Sequence, residues 1–223
     1  MYLNFLIKLI ILKQFIYCCL AQVTSSNNFV GFGQSYGDLQ FPLRDDYTIQ
    51  INTIKRFKFG NIKYSNFKLS SNGIILFSGS ATFIPSSFPI VSLTAIAPFW
   101  SDIDITLYGK ILYRQIENGN DLQKIGLEIR LSLSSSFYPN WAFVVTWDEV
   151  APFSSSLASP KNTFQLVLTT NGSSSFAIFN YGQLDWESSR GFVAGINSGD
   201  GINYLEISNS SRSLMIKSNV NTK

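Results

Sequence analysis

The chain has 223 residues, with 17 basic against 14 acidic side chains, no histidine and two cysteines. Without histidine, Ser-His-Asp triads, His-based acid–base catalysis and His-ligated zinc are excluded. Cys18 and Cys19 both sit in the apolar amino-terminal stretch, so the rest of the chain has no thiolate chemistry, disulfides or Cys-ligated metal either, which leaves carboxylates as the only enzymatic option.

Met1–Ala21 joins the apolar runs Leu9–Leu12 and Phe15–Ala21, with Lys8 and Lys13 as its only charges. Cys19 and Ala21 put small residues at minus three and minus one from a cut before Gln22, the pattern of a secretory signal peptide. Lys13 breaks the apolar run well short of the roughly 20 residues that span a bilayer, which favours a cleaved leader over an anchor. The expectation is a signal peptide over 1–21, cleaved between Ala21 and Gln22, and one secreted, extracellular domain over 22–223 with no membrane span. Losing Lys8 and Lys13 leaves 15 basic residues against 14 acidic ones, a net charge of +1. Overall charge therefore gives no reason for a nucleic-acid or membrane partner. About two hundred residues bury a good-sized core without disulfides.

After a polar lead over Gln22–Asn28, Gly31–Asp38 reads as a Gly-rich turn segment and Arg44-Asp45-Asp46 as a loop. Neither Gly31-Phe32-Gly33 nor Tyr108-Gly109 has the strand-to-helix setting of a phosphate loop. Thr48–Ile54 alternates as a strand does. Tyr64–Ser70, the turn Ser71-Asn72-Gly73 and Ile74–Phe77 form a hairpin. Pro85, Pro89 and Pro98 predict a largely irregular path over Ala81–Pro98, since proline cannot donate to a ladder. Lys110–Glu117 and Ala142–Trp147 read as strands on either side of an ambiguous stretch, Asp121–Ser135. There Ile125, Leu127, Ile129, Leu131 and Leu133 alternate, yet Leu122, Ile125 and Ile129 also make a helical stripe behind the N-cap candidate Asp121. Asn162–Leu168 and Phe176–Tyr181 flank Asn171-Gly172, and a two-residue type I′ loop would pair Phe164 with Phe179, Leu166 with Ala177 and Leu168 with Ser175. Gly191–Ile196 and Tyr204–Ile207 follow as strands, and Leu214–Ile216 closes the sheet. The pattern is mainly β, an antiparallel β-sandwich with one short helix at most.

Candidate chemistry is sparse. Asp102 and Asp104 would share one side of an extended strand and offer a calcium site, or, with Asp148 or Glu149, the carboxylate pair of a glycosidase. Calcium takes six to eight oxygens, so this run reads instead as turn-capping aspartates beside a buried Trp100. No catalytic residue, metal ligand or cofactor is assigned. Trp100 and Trp147 lie in apolar strands and belong to the core, whereas Trp186, between Asp185 and Glu187 in a polar turn, is the aromatic to test for exposure. Asn171 and Asn209 fit the N-glycosylation acceptor pattern.

Several blocks, in order, resemble the NIDO domain, the extracellular module of nidogens, alpha-tectorin, sushi-repeat matrix proteins and large transmembrane mucins. They are Phe57-Lys58-Phe59-Gly60 with Tyr64, Ser71-Asn72-Gly73-Ile74-Ile75-Leu76-Phe77, and Ile96-Ala97-Pro98-Phe99-Trp100-Ser101-Asp102-Ile103-Asp104. Ile111-Leu112-Tyr113-Arg114, Phe143-Val144-Val145-Thr146-Trp147-Asp148-Glu149-Val150, Asn162–Leu168, Phe176–Tyr181, Trp186 and Ala194–Gly201 continue the series. The resemblance implies a helix over Leu122–Ser136. Recognised members carry further modules, such as epidermal-growth-factor-like or von Willebrand type D repeats, which this sequence does not contain. The resemblance implies a secreted, non-enzymatic interaction module in cell–matrix or extracellular-matrix adhesion, with extracellular or matrix proteins as partners and glycans as further candidates. A carbohydrate-binding, lectin-like domain using exposed aromatics is the alternative, and a carboxylate-only glycosidase the third reading.

Overall fold

A computed structural model describes residues 18–23, 29–133 and 136–207. Asn209 and Leu214–Ile216 lie outside the described residues. Two sheets pack face to face. The first contains β1 (Cys18–Val23), β2 (Leu39–Gln40), β8 (Lys110–Ile116), β9 (Trp141–Pro152), β10 (Asn162–Thr170) and β11 (Ser175–Leu184), in the order β1-β11-β10-β9-β8-β2, with β7 (Ile103–Asp104) pairing β9. The second runs β13-β12-β6-β5-β4-β3, built from β3 (Thr48–Phe59), β4 (Ile62–Ser70), β5 (Ile75–Ser78), β6 (Thr94–Trp100), β12 (Val193–Asn197) and β13 (Tyr204–Glu206). All pairings are antiparallel except that of β1, which lies parallel to β11 with Ala21 opposite Phe179 and Gln22 opposite Asn180. No helix among the described residues is long and apolar enough to cross a membrane.

The main core between the sheets is aromatic. Trp147 stacks on Phe164 at 5.0 Å, Phe99 on Phe192 at 4.3 Å, and Phe67 meets Phe143 edge-on at 4.9 Å. Such pairs add stability beyond the area they bury. Two smaller clusters cover the outer faces. On the first sheet, helix α1 (Asn120–Leu133) lays Leu122, Ile125 and Ile129 against Val144, Val167 and Ile178. On the second, Phe88 and Leu93 cover Ile74, Leu76, Ala95 and Ala97. β9 and β10 are therefore buried on both faces, which is why they read as near-continuous apolar runs.

The ambiguous stretch is a helix. Burial follows Leu122, Ile125, Gly126 and Ile129 and leaves Leu127 and Leu131 in solvent. Gly126 is needed there, because a Cβ would sit 2.6 Å from the Pro139 ring of the returning chain. The path over residues 81–93 is irregular as expected, but the last part of that stretch is not: Pro98 lies within β6. The β6–β12 register shifts between Ala97 and Trp100, and a bulge of this kind is where a sheet accepts proline. The β10–β11 hairpin also departs from its expected register. Phe164 faces Tyr181, Leu166 faces Phe179, Leu168 faces Ala177, and the ladder ends at Thr170 opposite Ser175. A type I′ loop needs positive φ at both central residues, and only Gly172 has it, at 89°. Instead Asn171 Oδ1 accepts the amides of Ser173 (3.0 Å) and Ser174 (2.8 Å), folding Asn171–Ser174 into a four-residue loop. The shift is two residues, so each side chain keeps its expected face.

Across the outer face of the first sheet runs a buried polar row, Thr146, Gln165 and Asn180, in direct register. Gln165 Nε2 donates to Thr146 Oγ1 (2.8 Å) and to the Val30 carbonyl (2.9 Å), while its Oε1 accepts the Val30 amide (2.9 Å) and Asn180 Nδ2 (3.1 Å). One side chain thus pins the amino-terminal segment to the sheet. Gln165→Ala should lower unfolding free energy by about 3 kcal/mol, since it orphans several buried groups at once. Urea denaturation checks the loss, and hydrogen exchange should quicken at Val30 before it does in β9.

Candidate functional site

The blocks Ser71-Asn72-Gly73 and Pro98–Asp104 converge at one corner of the sandwich. Ser71, Asn72 and Gly73 turn the chain from β4 into β5 inside the protein, with Ser71 and Asn72 buried. Gly73 has φ of 73°, and a Cβ there would lie 1.9 Å from the Phe99 carbonyl oxygen, so only glycine fits. The Phe99 amide donates to the Gly73 carbonyl (3.4 Å) and the Ser101 amide to that of Asn72 (3.1 Å). The Asn72 side chain completes the joint: Oδ1 accepts the Ile103 amide (2.9 Å), and Nδ2 donates to Asp46 Oδ1 (2.8 Å). From the opposite sheet, Trp147 Nε1 donates to the Ser71 carbonyl (3.1 Å).

Three carboxylates crowd this corner. Those of Asp45, Asp46 and Asp102 offer oxygens within 4.8 Å of one another. Asp102 is buried and pairs with Arg190, whose guanidinium also lies 5.0 Å from the Phe83 ring centroid. Burial pushes the Asp102 carboxyl up against the pull of Arg190. Asp45 is pushed up to about 6, first by burial and then by Asp46, Asp104 and Asp102. Asp104 turns away to cap its own loop, accepting the amide (2.8 Å) and hydroxyl (2.6 Å) of Thr106. Asp148 pairs with Lys110 at 3.4 Å, and burial raises its carboxyl against that partner. The sequence pair Asp102 and Asp104 is therefore divided, and Asp102 joins Asp45 and Asp46 from a loop more than fifty residues earlier. Linear spacing does not reveal that meeting. Three carboxylates, two of them engaged by Asn72 and Arg190, fall short of the six to eight oxygens that calcium takes.

The aromatic candidate moves inward. Trp186 is 5% exposed, not a surface residue, and its Nε1 donates to the Val150 carbonyl (2.9 Å). Asn162, fully buried at the start of β10, causes this: Oδ1 accepts the amides of Asp185 (2.7 Å) and Trp186 (3.1 Å), and Nδ2 donates to the Trp186 carbonyl (3.0 Å). Trp100, Trp141 and Trp147 are buried too. Asn171 is half-buried at its hairpin tip with Oδ1 engaged by the loop amides, and Ala21 and Gln22 are neighbours within β1.

The raised Asp45 carboxyl gives stability a definite pH dependence. Its folded value of about 6 exceeds its ordinary 3.8, so above pH 6 the fold carries a half-buried charge crowded by other carboxylates, which the unfolded chain solvates freely. As pH falls from 6 to 3.8 the folded state takes up the proton first and recovers that cost. Asp45→Asn should therefore raise the melting temperature at pH 7, with a gain that shrinks below pH 6 and vanishes below about 3.8, as thermal melts of both proteins across that range would reveal.

The nidogen-like domain family matches residues 65–223. Alpha-tectorin of Gallus gallus is 37% identical over 154 residues, covering 67% of this chain and 7% of that protein. Nidogen-2 of Mus musculus is 33% identical over 163 residues, covering 67% of this chain and 12% of its own length. Mucin-4 of Homo sapiens is 30% identical over 193 residues, or 76% of this chain and 4% of the mucin. The chain thus spans only a small part of each relative. No solved structure matches it significantly. The matched span holds the buried Ser71-Asn72-Gly73 turn, the Pro98–Asp104 strand that docks on it and the Trp147 strand that bonds it from across the core, and the chain belongs to the nidogen-like domain family.

Proposed function

We propose that this chain is a secreted, non-enzymatic interaction module that works in cell–matrix or extracellular-matrix adhesion. The observation that carries the reading is membership of the nidogen-like family, with relatives that include two nidogens and alpha-tectorin. The corner where the family blocks meet supports it from the chemical side. Asn72, Arg190 and Asp104 there are occupied with holding turns and strands together, and a catalytic acid or base needs a proton partner in a substrate rather than in the fold. The lectin-like alternative relies on exposed aromatics, and with all four tryptophans buried it falls to scattered rings such as Tyr36, Tyr138, Phe153 and Tyr204. Secretion begins, in this reading, with cleavage between Ala21 and Gln22, and glycans sit on Asn171 and Asn209.

The test is expression of the full chain in a secreting cell. Protein from the medium should begin at or near Gln22, lose mass on enzymatic deglycosylation, and carry less glycan in Asn171→Gln. Placed on decellularised matrix, it should bind saturably and survive washing, without hydrolysing glycan substrates. Full-length chain retained in membranes would overturn secretion. Glycan hydrolysis abolished by Asp104→Asn would overturn the non-enzymatic reading.

A further inference from the structure

Near-neutral overall charge hides one strongly uneven surface. Between Asp46 and Asp102 the sequence has no acidic residue, yet it carries Lys55, Arg56, Lys58, Lys63 and Lys68. All five lie on β3 and β4. The hairpin register places Lys58 directly opposite Lys63, Lys68 opposite Gln50, and Asn52 opposite Asn66. The alternate row, Ile51–Phe67 and Phe57–Tyr64, faces the core, so the lysine row faces water. Lys55 and Arg56 stand in the irregular stretch between these two parts of the ladder. Among the described residues these five cations make one ion pair, Lys55 with Glu117 at 3.5 Å. Phe88 and Leu93 cover the outer face farther along the same sheet, at β5 and β6, and leave this hairpin open.

Like charges directly opposite on a ladder destabilise it, so the Lys58–Lys63 pair calls for a reason. Edge strands often carry lysine to block pairing with another chain. Here the edge of β3 is already engaged: Gln115 bonds the Asn52 carbonyl (3.0 Å) and the Ile54 amide (2.8 Å), and Ser175 Oγ accepts the Lys58 amide (3.1 Å). Lys63 and Lys68, moreover, belong to β4, an inner strand. Edge protection does not account for them.

We propose that the solvent face of the β3–β4 hairpin binds a linear sulfated polysaccharide. Lys58 and Lys63 form one cationic point with strand axes about 5 Å apart, and Lys68 a second roughly 15 Å along the ladder. Between them lie the amides of Asn52 and Asn66, with that of Gln50 beside Lys68, and these suit hydroxyl and sulfate oxygens. The lysine row itself includes no aromatic side chain on which a base would stack, and its polar residues give acyl chains nothing to enter. The inference rests on the extracellular location argued above, which brings the chain among polyanions of this kind.

The experiment uses the chain secreted from cultured cells, with heparin as the probe, immobilised and in solution. The protein should be retained at physiological salt and released as salt rises. The triple variant Lys58→Gln, Lys63→Gln, Lys68→Gln should lose roughly tenfold or more in affinity while melting as the parent does. Lys63→Gln should weaken binding, whereas Lys124→Gln, which removes the same charge from the exposed side of α1, should not. Absence of retention, equal loss from Lys63→Gln and Lys124→Gln, or binding only to phosphatidylserine vesicles would overturn the proposal. Heparin binding lost while matrix binding persists sinks this inference alone; matrix binding lost while heparin binding persists sinks the adhesion reading alone.

Discussion

A turn placed inside a protein must find a partner for every backbone group it exposes, because water cannot reach it and each orphaned group costs about 1–3 kcal/mol. Ser71-Asn72-Gly73 is such a turn, and much of the corner can be read as its solution. Gly73 gives the left-handed conformation and the room for Phe99. Asn72 is short enough to stay buried and has both donor and acceptor, so it ties the backbone at Ile103 to the loop at Asp46. Trp147 brings the second sheet into the joint through its ring nitrogen, and its ring face stacks on Phe164. Register, sheet packing and the position of the aspartates all follow from this joint.

The same economy governs the rest of the interior. Gln165 secures the amino-terminal segment, and Asn162 draws the Trp186 turn inward. Asn197 holds the covering loop through Ile90 and Leu93. Arg114 holds Asp38, Asp121 and the Gly31 carbonyl together, anchoring the Gly-rich segment to the start of α1. Four polar side chains each replace several backbone partners. These four residues are accounted for by architecture, which moves attention to the faces that architecture leaves bare.

How much of this was legible in the sequence depended on the range of the interaction concerned. Strand identity is local, and the alternation around Thr48–Ile54 and the apolar runs of β9 and β10 announced it. The helix was half legible: Leu122, Ile125 and Ile129 fit both periods, and what selected the helix is the apolar outer face of the first sheet, a surface assembled from strands on both sides of it. Pro98 misled because its rule concerns regular ladders, while β6 itself bulges there, taking three steps from Ala97 to Trp100 against two in β12. Trp186 misled because its flanking charges describe a turn, and the turn's direction is set by Asn162 far behind it. The meeting of Asp45 and Asp46 with Asp102 was invisible for the same reason. The lysine row was written plainly in the sequence, but averaging charge over the whole chain concealed it.

The hairpin tip between β10 and β11 carries a consequence for how this domain tolerates change in length. Its loop absorbs Ser173 and Ser174 instead of closing at Asn171-Gly172. Leu166 and Leu168 remain on the core side under either closure, because the two differ by an even number of residues. Insertions and deletions at this tip are thus filtered by parity. A pair of residues can enter or leave and alter only the length of the protrusion, whereas a single residue that slipped the register would carry Phe164 and Phe179 toward the helix and turn Gln165 and Asn180 into the aromatic core.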